Sequence, residues 1–174
     1  GISEFQLDRF AAMPDSMREV TYFQDCKAWY EERQQEEYEK LLAAYRAVIS
    51  DIVYFLVPKS RNLRAAEVYY SDGWGSERIY RDASHVHEGC DIMAGNNERG
   101  YFPIVSMTDG VVERIGWLEK GGYRIGIRSP NGGYFYYAHL YRYAKEWKEG
   151  DRVCAGELIG FMGDSGYSKV EGTV

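Results

Sequence analysis

The stretch of sequence that decides the fold is GVVERIGWLEKGGYRIGIRSPNGGYFYYAHL, residues 110–140. Three runs rich in Val, Ile, Tyr and Phe are separated here by two turn signals, Lys-Gly-Gly at 120–122 and Pro-Asn-Gly-Gly at 130–133. β-Branched and aromatic residues favour strands, and glycine and asparagine supply the backbone conformations that tight turns need. The second turn lies between two alternating runs and predicts a β-hairpin. The stretch therefore predicts neighbouring antiparallel strands.

A similar composition continues over the rest of the chain beyond Pro58. All of the 19 glycines except Gly1 follow this proline. Short turns separate the candidate strands, with no helical pattern between them, which is typical of an antiparallel sandwich or a barrel-like domain. The sequence thus predicts a mainly β domain over residues 67–174, preceded by a linker at residues 58–66. We predict its strands at residues 67–70, 104–106, 110–117, 123–128, 134–139 and 158–162.

Residues 1–57 have a different composition, rich in Glu, Gln, Arg, Ala and Leu, that favours helix. From Leu41 onward the apolar residues recur at three- and four-residue steps, which places them on one helix face. We predict one helix from about Cys26 to Val57, ended by Pro58, with a solvated part at residues 31–40. We expect the apolar face to pack on the chain's own domain; a dimer contact or a regulatory partner is the alternative.

Charge and hydropathy argue against two classes of protein. The 174 residues carry a formal net charge of −6, and the sequence lacks a basic cluster of the kind that binds nucleic acid. The longest apolar run, near residues 52–57, is too short to span a bilayer. The opening glycine resembles a processed or engineered start, which is compatible with a removed leader or anchor. The cysteines lack metal-binding spacing and are expected to be small buried side chains: Cys26, Cys90 and Cys154.

Two of the three histidines lie in a short polar segment that ends in an acid, HVHEGCD at residues 85–91. If residues 87–91 form a strand, His87 and Asp91 point to one face and can converge on a single ion, and His85 shares that face. Imidazole nitrogen and carboxylate oxygen are ligands that suit zinc. A hydrogen-bonded surface pair without metal is the alternative that the spacing alone leaves open.

The segment His87-Glu88-Gly89-Cys90-Asp91 resembles H-x-G-x-D, the first signature of the M23 (LytM/lysostaphin-like) zinc metallopeptidases. Five further blocks resemble that family in the same order, and the six together cover about residues 67–168. The helical N-terminus lies outside the resemblance. The five blocks are YSDGWG at 70–75, PIV with DGVV at 103–112, YYAHL at 136–140, GDRVCAGELIG at 150–160 and GDSGYS at 163–168.

The resemblance implies a zinc-dependent endopeptidase that hydrolyses peptide bonds in the stem peptides or cross-bridges of peptidoglycan. It implies His87 and Asp91 as zinc ligands. It implies His139, in the family's Y-x-H-L block, as a general base or as a hydrogen-bond donor to the tetrahedral intermediate. It also implies an extracellular or wall-associated location in a bacterium, where a disulfide between Cys90 and Cys154 would be permitted. Trp74 and Tyr137 are candidates for lining the substrate groove, with a core or sheet-surface position as the alternative for each. Tyr80 is a candidate for binding the substrate oxyanion.

The resemblance is incomplete in one block. In the family, an H-x-H motif follows the glycine-rich loop and supplies the third zinc ligand, whereas no histidine follows His139 here. We expect that motif beyond Val174. His85 is a less favourable third ligand, because two ligands two residues apart on one strand would crowd the ion. The alternative function is a catalytically inactive M23-like module that binds the cell wall or a protein. A carbohydrate phosphocarrier domain with a histidine pair is a further alternative, disfavoured by the Gly89 and Asp91 pattern.

Overall fold

The computed structural model describes residues 5–6, 35–62, 64–71, 73–80 and 83–166. Within these ranges one α-helix lies between the first strand and the other eleven, and all the paired strands are antiparallel, so the predicted mainly β fold class is confirmed. The elements are β1 (Phe5–Gln6), α1 (Gln35–Ser50), β2 (Lys59–Ser60), β3 (Val68–Tyr70), β4 (Glu77–Tyr80), β5 (Ala83–Val86), β6 (Ile92–Ala94), β7 (Pro103–Val105), β8 (Gly110–Leu118), β9 (Gly122–Arg128), β10 (Tyr134–Tyr143), β11 (Arg152–Val153) and β12 (Leu158–Met162).

A six-stranded antiparallel sheet forms the centre of the domain, in the order β11-β8-β9-β10-β12-β7. The predicted hairpin joins β9 to β10, and its turn is closed by a hydrogen bond from Ser129 N–H to Gly133 O at 2.8 Å. Three two-stranded ladders accompany this sheet: β1 with β2, β3 with β6, and β4 with β5. The last two ladders flank the segment that contains His87 and Asp91.

The core lies on one face of the large sheet. Alternation along the strands places Val112, Ile125 and Ile127 on that face, and the two isoleucines have 0% exposure. Burial of such side chains contributes about 1.5–3 kcal/mol each. One cluster joins this face to β6, β12 and the segment before β2, so the large sheet and the β3–β6 ladder share a core. Its other members are Val57, Ala94, Phe102, Ile104, Tyr137, Leu140, Trp147, Val153, Ile159 and Met162.

The helix ends at Ser50, seven residues before the predicted end at Val57. Residues 51–57 instead run beside the end of β7, where Val53 N–H donates to Met107 O at 2.8 Å and Leu56 O accepts from Val105 N–H at 2.9 Å. These hydrogen bonds to the sheet replace the helical hydrogen bonds that residues 51–57 would otherwise make. Val57 is also buried in the core. The predicted helix start at Cys26 lies outside the described residues, and the predicted domain boundaries stay a prediction.

The apolar stripe of the helix is only partly covered. Leu42 is buried as predicted, and Val48 lies against Gly133, where an added β-carbon would clash with its methyl group. Tyr45 is 42% exposed. Tyr38, in the part predicted to be solvated, is 2% exposed, so that expectation is wrong at this residue. The dimer or regulatory contact through this helix stays a prediction.

The expectation of buried cysteines is wrong for the two that the structure describes. Cys90 and Cys154 are both exposed, and the candidate disulfide between them is not formed. Cys26 lies outside the described residues. Among the helical residues that are described, none forms a helix both long enough and apolar enough to cross a membrane.

Candidate metal and catalytic site

His87 and Asp91 lie in the loop that joins β5 to β6. The strand expected over residues 87–91 is not formed, since β5 ends at Val86 and β6 begins at Ile92. The loop nevertheless brings His87 Nε2 to 3.3 Å from Asp91 Oδ1. The predicted convergence of the two side chains is therefore present, although a loop produces it and not the alternation of a strand.

The turn at residues 73–76 holds His87 in place. His87 N–H donates to Ser76 O at 2.9 Å, and His87 O accepts from Gly75 N–H at 2.9 Å. The imidazole Nδ1 lies 3.1 Å from Gly73 O. A β-carbon at Gly73 would lie 3.1 Å from that nitrogen, so a larger residue would push the ring away.

These contacts fix which nitrogen of His87 carries the proton in its neutral form. A carbonyl oxygen can only accept, so Nδ1 must donate to Gly73 O. The lone pair of Nε2 then faces the Asp91 carboxylate, and two lone pairs attract only if a proton or a cation lies between them. A nitrogen and an oxygen donor, with the second imidazole nitrogen bonded to a backbone carbonyl, match the usual surroundings of a zinc ligand.

The described part of the chain contains no group of three or more His, Cys, Asp or Glu side chains placed to hold a metal. His87 and Asp91, which the resemblance implies as ligands, carry donor types that fit zinc. His85 belongs to β5, and its side chain lies outside the described residues.

His139 lies on β10 at a break in the regular pairing. The register shifts between Tyr137 and Leu140 on the β9 side and between Leu140 and Arg142 on the β12 side. His139 itself has a φ of 59°, which is rare for a residue with a side chain and costs about 1–3 kcal/mol. Its N–H donates to Gly121 O at 2.7 Å. Strain of this kind, held in place by its surroundings, is common at functional sites.

The imidazole of His139 is exposed and is held through one nitrogen. Nδ1 lies 2.7 Å from the backbone carbonyl of Ser165, in the loop after β12, so Nδ1 donates and Nε2 is left as an acceptor in the neutral ring. Its exposure excludes a core histidine. The elements that carry His139 and Asp91 pack on the same core cluster through Leu140 and Ile92.

The three expected substrate contacts have different outcomes. Trp74 is 68% exposed, in the turn that holds His87. Tyr80 ends β4, and its side chain lies outside the described residues. Tyr137 is 5% exposed and accepts a hydrogen bond from Met107 N–H at 2.9 Å, and burial raises its pKa to about 12. Tyr137 is therefore a core residue and not a groove residue; the neighbouring Tyr136 is 47% exposed.

Two carbonyl groups were not predicted as parts of the site, those of Gly73 and Ser165. Both belong to glycine-rich blocks singled out in the sequence, YSDGWG and GDSGYS. The blocks mark where close backbone approaches occur, but a sequence does not show which carbonyl faces an imidazole.

A family match covers the segment that contains His87, Asp91 and His139. The model for "Peptidase family M23" matches residues 85–173. The L-Ala--D-Glu endopeptidase of Bacillus subtilis is 44% identical over 98 residues, covering 56% of this chain and 28% of that protein. Lysostaphin of Staphylococcus simulans is 37% identical over 85 residues, covering 48% of this chain and 16% of that protein. The chain thus spans less than a third of the curated relatives it matches.

A solved structure extends the similarity beyond the family segment. It is described as a putative glycyl-glycine endopeptidase lytM from Ruminococcus gnavus, and it matches with a TM-score of 0.67 and 47% sequence identity. The match covers 88% of this chain and 60% of that one.

Proposed function

Since the chain belongs to peptidase family M23, we propose that it is a zinc-dependent endopeptidase that hydrolyses peptide bonds in peptidoglycan stem peptides or cross-bridges. The observation that carries the proposal is the approach of His87 Nε2 to Asp91 Oδ1 at 3.3 Å, with His87 Nδ1 engaged by Gly73 O. The names of the relatives support the substrate class, since they describe endopeptidases that cut L-Ala–D-Glu or glycyl-glycine bonds. Such a substrate would place the protein outside the cytoplasmic membrane, at the bacterial wall.

In the proposed reaction His87 and Asp91 hold the metal, which when bound would lower the pKa of a water and polarise the scissile carbonyl. His139 accepts a proton from the attacking water through Nε2, because Nδ1 already donates to Ser165 O. The bulge and the φ of 59° turn its imidazole outward from β10. The exposed indole of Trp74, in the turn that holds His87, offers an apolar surface for the peptide.

Hydrolysis of purified peptidoglycan by the intact protein tests this proposal, with and without a chelator and with zinc restored afterwards. We expect chelation to abolish hydrolysis and Asp91→Ala to lower it by at least about 10²-fold, since the metal supplies several kcal/mol of the lowering of the barrier. Glu88→Ala is the matched control, because Glu88 is an exposed acid in the same loop. Unchanged hydrolysis in Asp91→Ala would contradict the zinc mechanism.

A catalytically inactive module that binds the wall is the second candidate, and one observation favours it. The described residues bring together two metal-type ligands and not three. Under this alternative the intact protein binds peptidoglycan without releasing peptides, and it retains no zinc by elemental analysis. Hydrolysis that depends on zinc would exclude it.

A further inference from the structure

We propose that Ser165 is a positioning residue for His139, and that its hydroxyl group fixes the imidazole tautomer in which Nδ1 carries the proton. The consequence for catalysis rests on the proposed function. The consequence for the tautomer does not, because it concerns only hydrogen bonds within the folded chain. Ser165 itself touches no reacting atom; it acts through the ring of His139.

The hydroxyl of Ser165 bridges two neighbouring strands. It donates to Leu140 O at 2.5 Å on β10 and accepts from Tyr123 N–H at 3.0 Å on β9. Leu140 and Tyr123 face each other in the sheet, at the point where the β10 register has shifted. The hydroxyl therefore joins a backbone donor and a backbone acceptor next to the bulge, and it ties the loop after β12 to both strands.

The same residue presents its own carbonyl to His139. Ser165 O lies 2.7 Å from His139 Nδ1, so the two ends of Ser165 contact two consecutive residues of β10. Moving the loop away from Leu140 would move the carbonyl away from the imidazole. The backbone carbonyl of Ser165 selects the tautomer of His139, because a carbonyl can only accept a hydrogen bond. The hydroxyl group of Ser165 holds that carbonyl in position.

Two facing glycines allow the loop to approach this closely. A β-carbon at Gly122 would lie 2.3–2.4 Å from the carbonyl and hydroxyl atoms of Ser165, and one at Gly166 would lie 2.5 Å from Gly122 N. Both glycines also have positive φ, +62° and +98°. The close contact between residues 121–122 and 165–166 therefore depends on glycine at both positions.

The test measures the tautomer directly in the intact protein, by nitrogen-15 NMR of the imidazoles, with His139→Gln used for assignment. We expect the neutral ring of wild-type His139 to show a protonated Nδ1 and an unprotonated Nε2. Ser165→Ala should mix the two tautomers. Ser165→Thr, which keeps a hydroxyl, should restore the wild-type signals. Ser50→Ala is the control, because the Ser50 hydroxyl donates only to its own helix, at Ala47 O.

Peptidoglycan hydrolysis provides the second readout. Misplacement of a catalytic group by about 1 Å can cost about 10²-fold, so Ser165→Ala should lower kcat by about 10- to 100-fold with little change in KM, and Ser165→Thr should recover most of that loss. If Ser165→Ala does not fold, Ser165→Cys replaces it, because a thiol has similar shape and bonds weakly.

Three results would overturn the proposal: an unchanged tautomer in Ser165→Ala, a loss of kcat without a change of tautomer, or equal losses in the Ala and Thr variants. A wild-type protein that fails to hydrolyse peptidoglycan would defeat the proposed function alone. The tautomer experiment needs no substrate and would still decide the structural claim.

Discussion

The ion pair between Arg99 and Asp164 should stabilise the loop that carries Ser165 by a small, measurable amount. Arg99 Nε and Nη2 each lie 2.6 Å from one carboxylate oxygen of Asp164, so the contact is bidentate. It joins the loop after β6 to the loop after β12, across 65 residues of sequence. Replacing either side chain by alanine removes that tie.

The magnitude follows from the geometry and from exposure. Exposed ion pairs contribute about 0.2–1 kcal/mol, and bidentate arginine contacts lie at the favourable end. The Arg99 side chain is 53% exposed and that of Asp164 only 13%. We therefore expect a coupling free energy of about 1 kcal/mol, which corresponds to about 2–4 °C in Tm for a chain of this size.

The coupling should depend on pH in a defined direction. The hydrogen bond from Arg99 lowers the pKa of Asp164, with further contributions from the charges of Arg99 and His139. A carboxyl whose pKa is lower in the folded state stabilises the fold above its unfolded pKa, about 3.9. That stability is lost as the pH falls from about 4 through the lower folded pKa. Salt at about 1 M should weaken the coupling, because it screens the exposed guanidinium.

A double-mutant cycle of Arg99→Ala and Asp164→Ala, measured by urea unfolding at pH 7 and at low pH, tests this reasoning. A second cycle on Arg114 and Glu149, 3.5 Å apart and exposed by 59% and 53%, is the matched control and should give a smaller coupling. An Arg99–Asp164 coupling that is no larger than the control, or that persists when Asp164 is protonated, would refute the argument.

Three further predictions concern single residues. Gly122→Ala should destabilise the fold by clearly more than Gly132→Ala, as measured by urea unfolding, because both positions have positive φ but only Gly122 lies against Ser165; equal losses would show that backbone strain alone matters. Tyr137→Phe should cost about 1–3 kcal/mol because Met107 N–H loses a buried acceptor, whereas exposed Tyr141→Phe should stay within about 0.5 kcal/mol. In the native protein Cys90 and Cys154 should both react with a thiol reagent because both side chains are exposed, and a lack of reaction at either residue, located by peptide mapping, would contradict this prediction.

Local sequence signals predicted β3 and five of the six strands of the large sheet, because side-chain type and turn chemistry act over a few residues. The short strands β1, β2, β4, β5, β6 and β11 were not predicted. Leu158–Met162 forms a strand over the predicted residues, and the turn at 130–133 joins two strands as expected. The helix end was missed because residues 51–57 gain hydrogen bonds from residues 105–107, which are about fifty positions away in the sequence. Pro58 limits where a helix can end, but it does not oblige the helix to reach it.

The site was predictable in its residue types and less so in its geometry. His87 and Asp91 converge as expected, yet the reason offered, alternation along a strand, does not hold in the loop where they lie. The prediction that Tyr137 contacts substrate was wrong because a shift of one position along β10 decides between the core face and the outer face. Composition does not set that register. The roles of Gly73 and Ser165 depend on backbone carbonyls, which every residue carries.

The two imidazoles of the site are held by the same device on unrelated elements. In each, Nδ1 lies close to a backbone carbonyl, at 3.1 Å from Gly73 O for His87 and at 2.7 Å from Ser165 O for His139. A backbone carbonyl neither titrates nor donates, so it selects one tautomer at any pH where the ring is neutral. Such contacts need a close approach of the backbone, and glycines make room for it. Gly73 lies against His87, and Gly122 and Gly166 lie where the Ser165 loop meets the sheet. The close backbone approaches at these glycines therefore leave Nε2 of both neutral rings without a proton, which is the state that the proposed roles require: metal ligand for His87 and proton acceptor for His139.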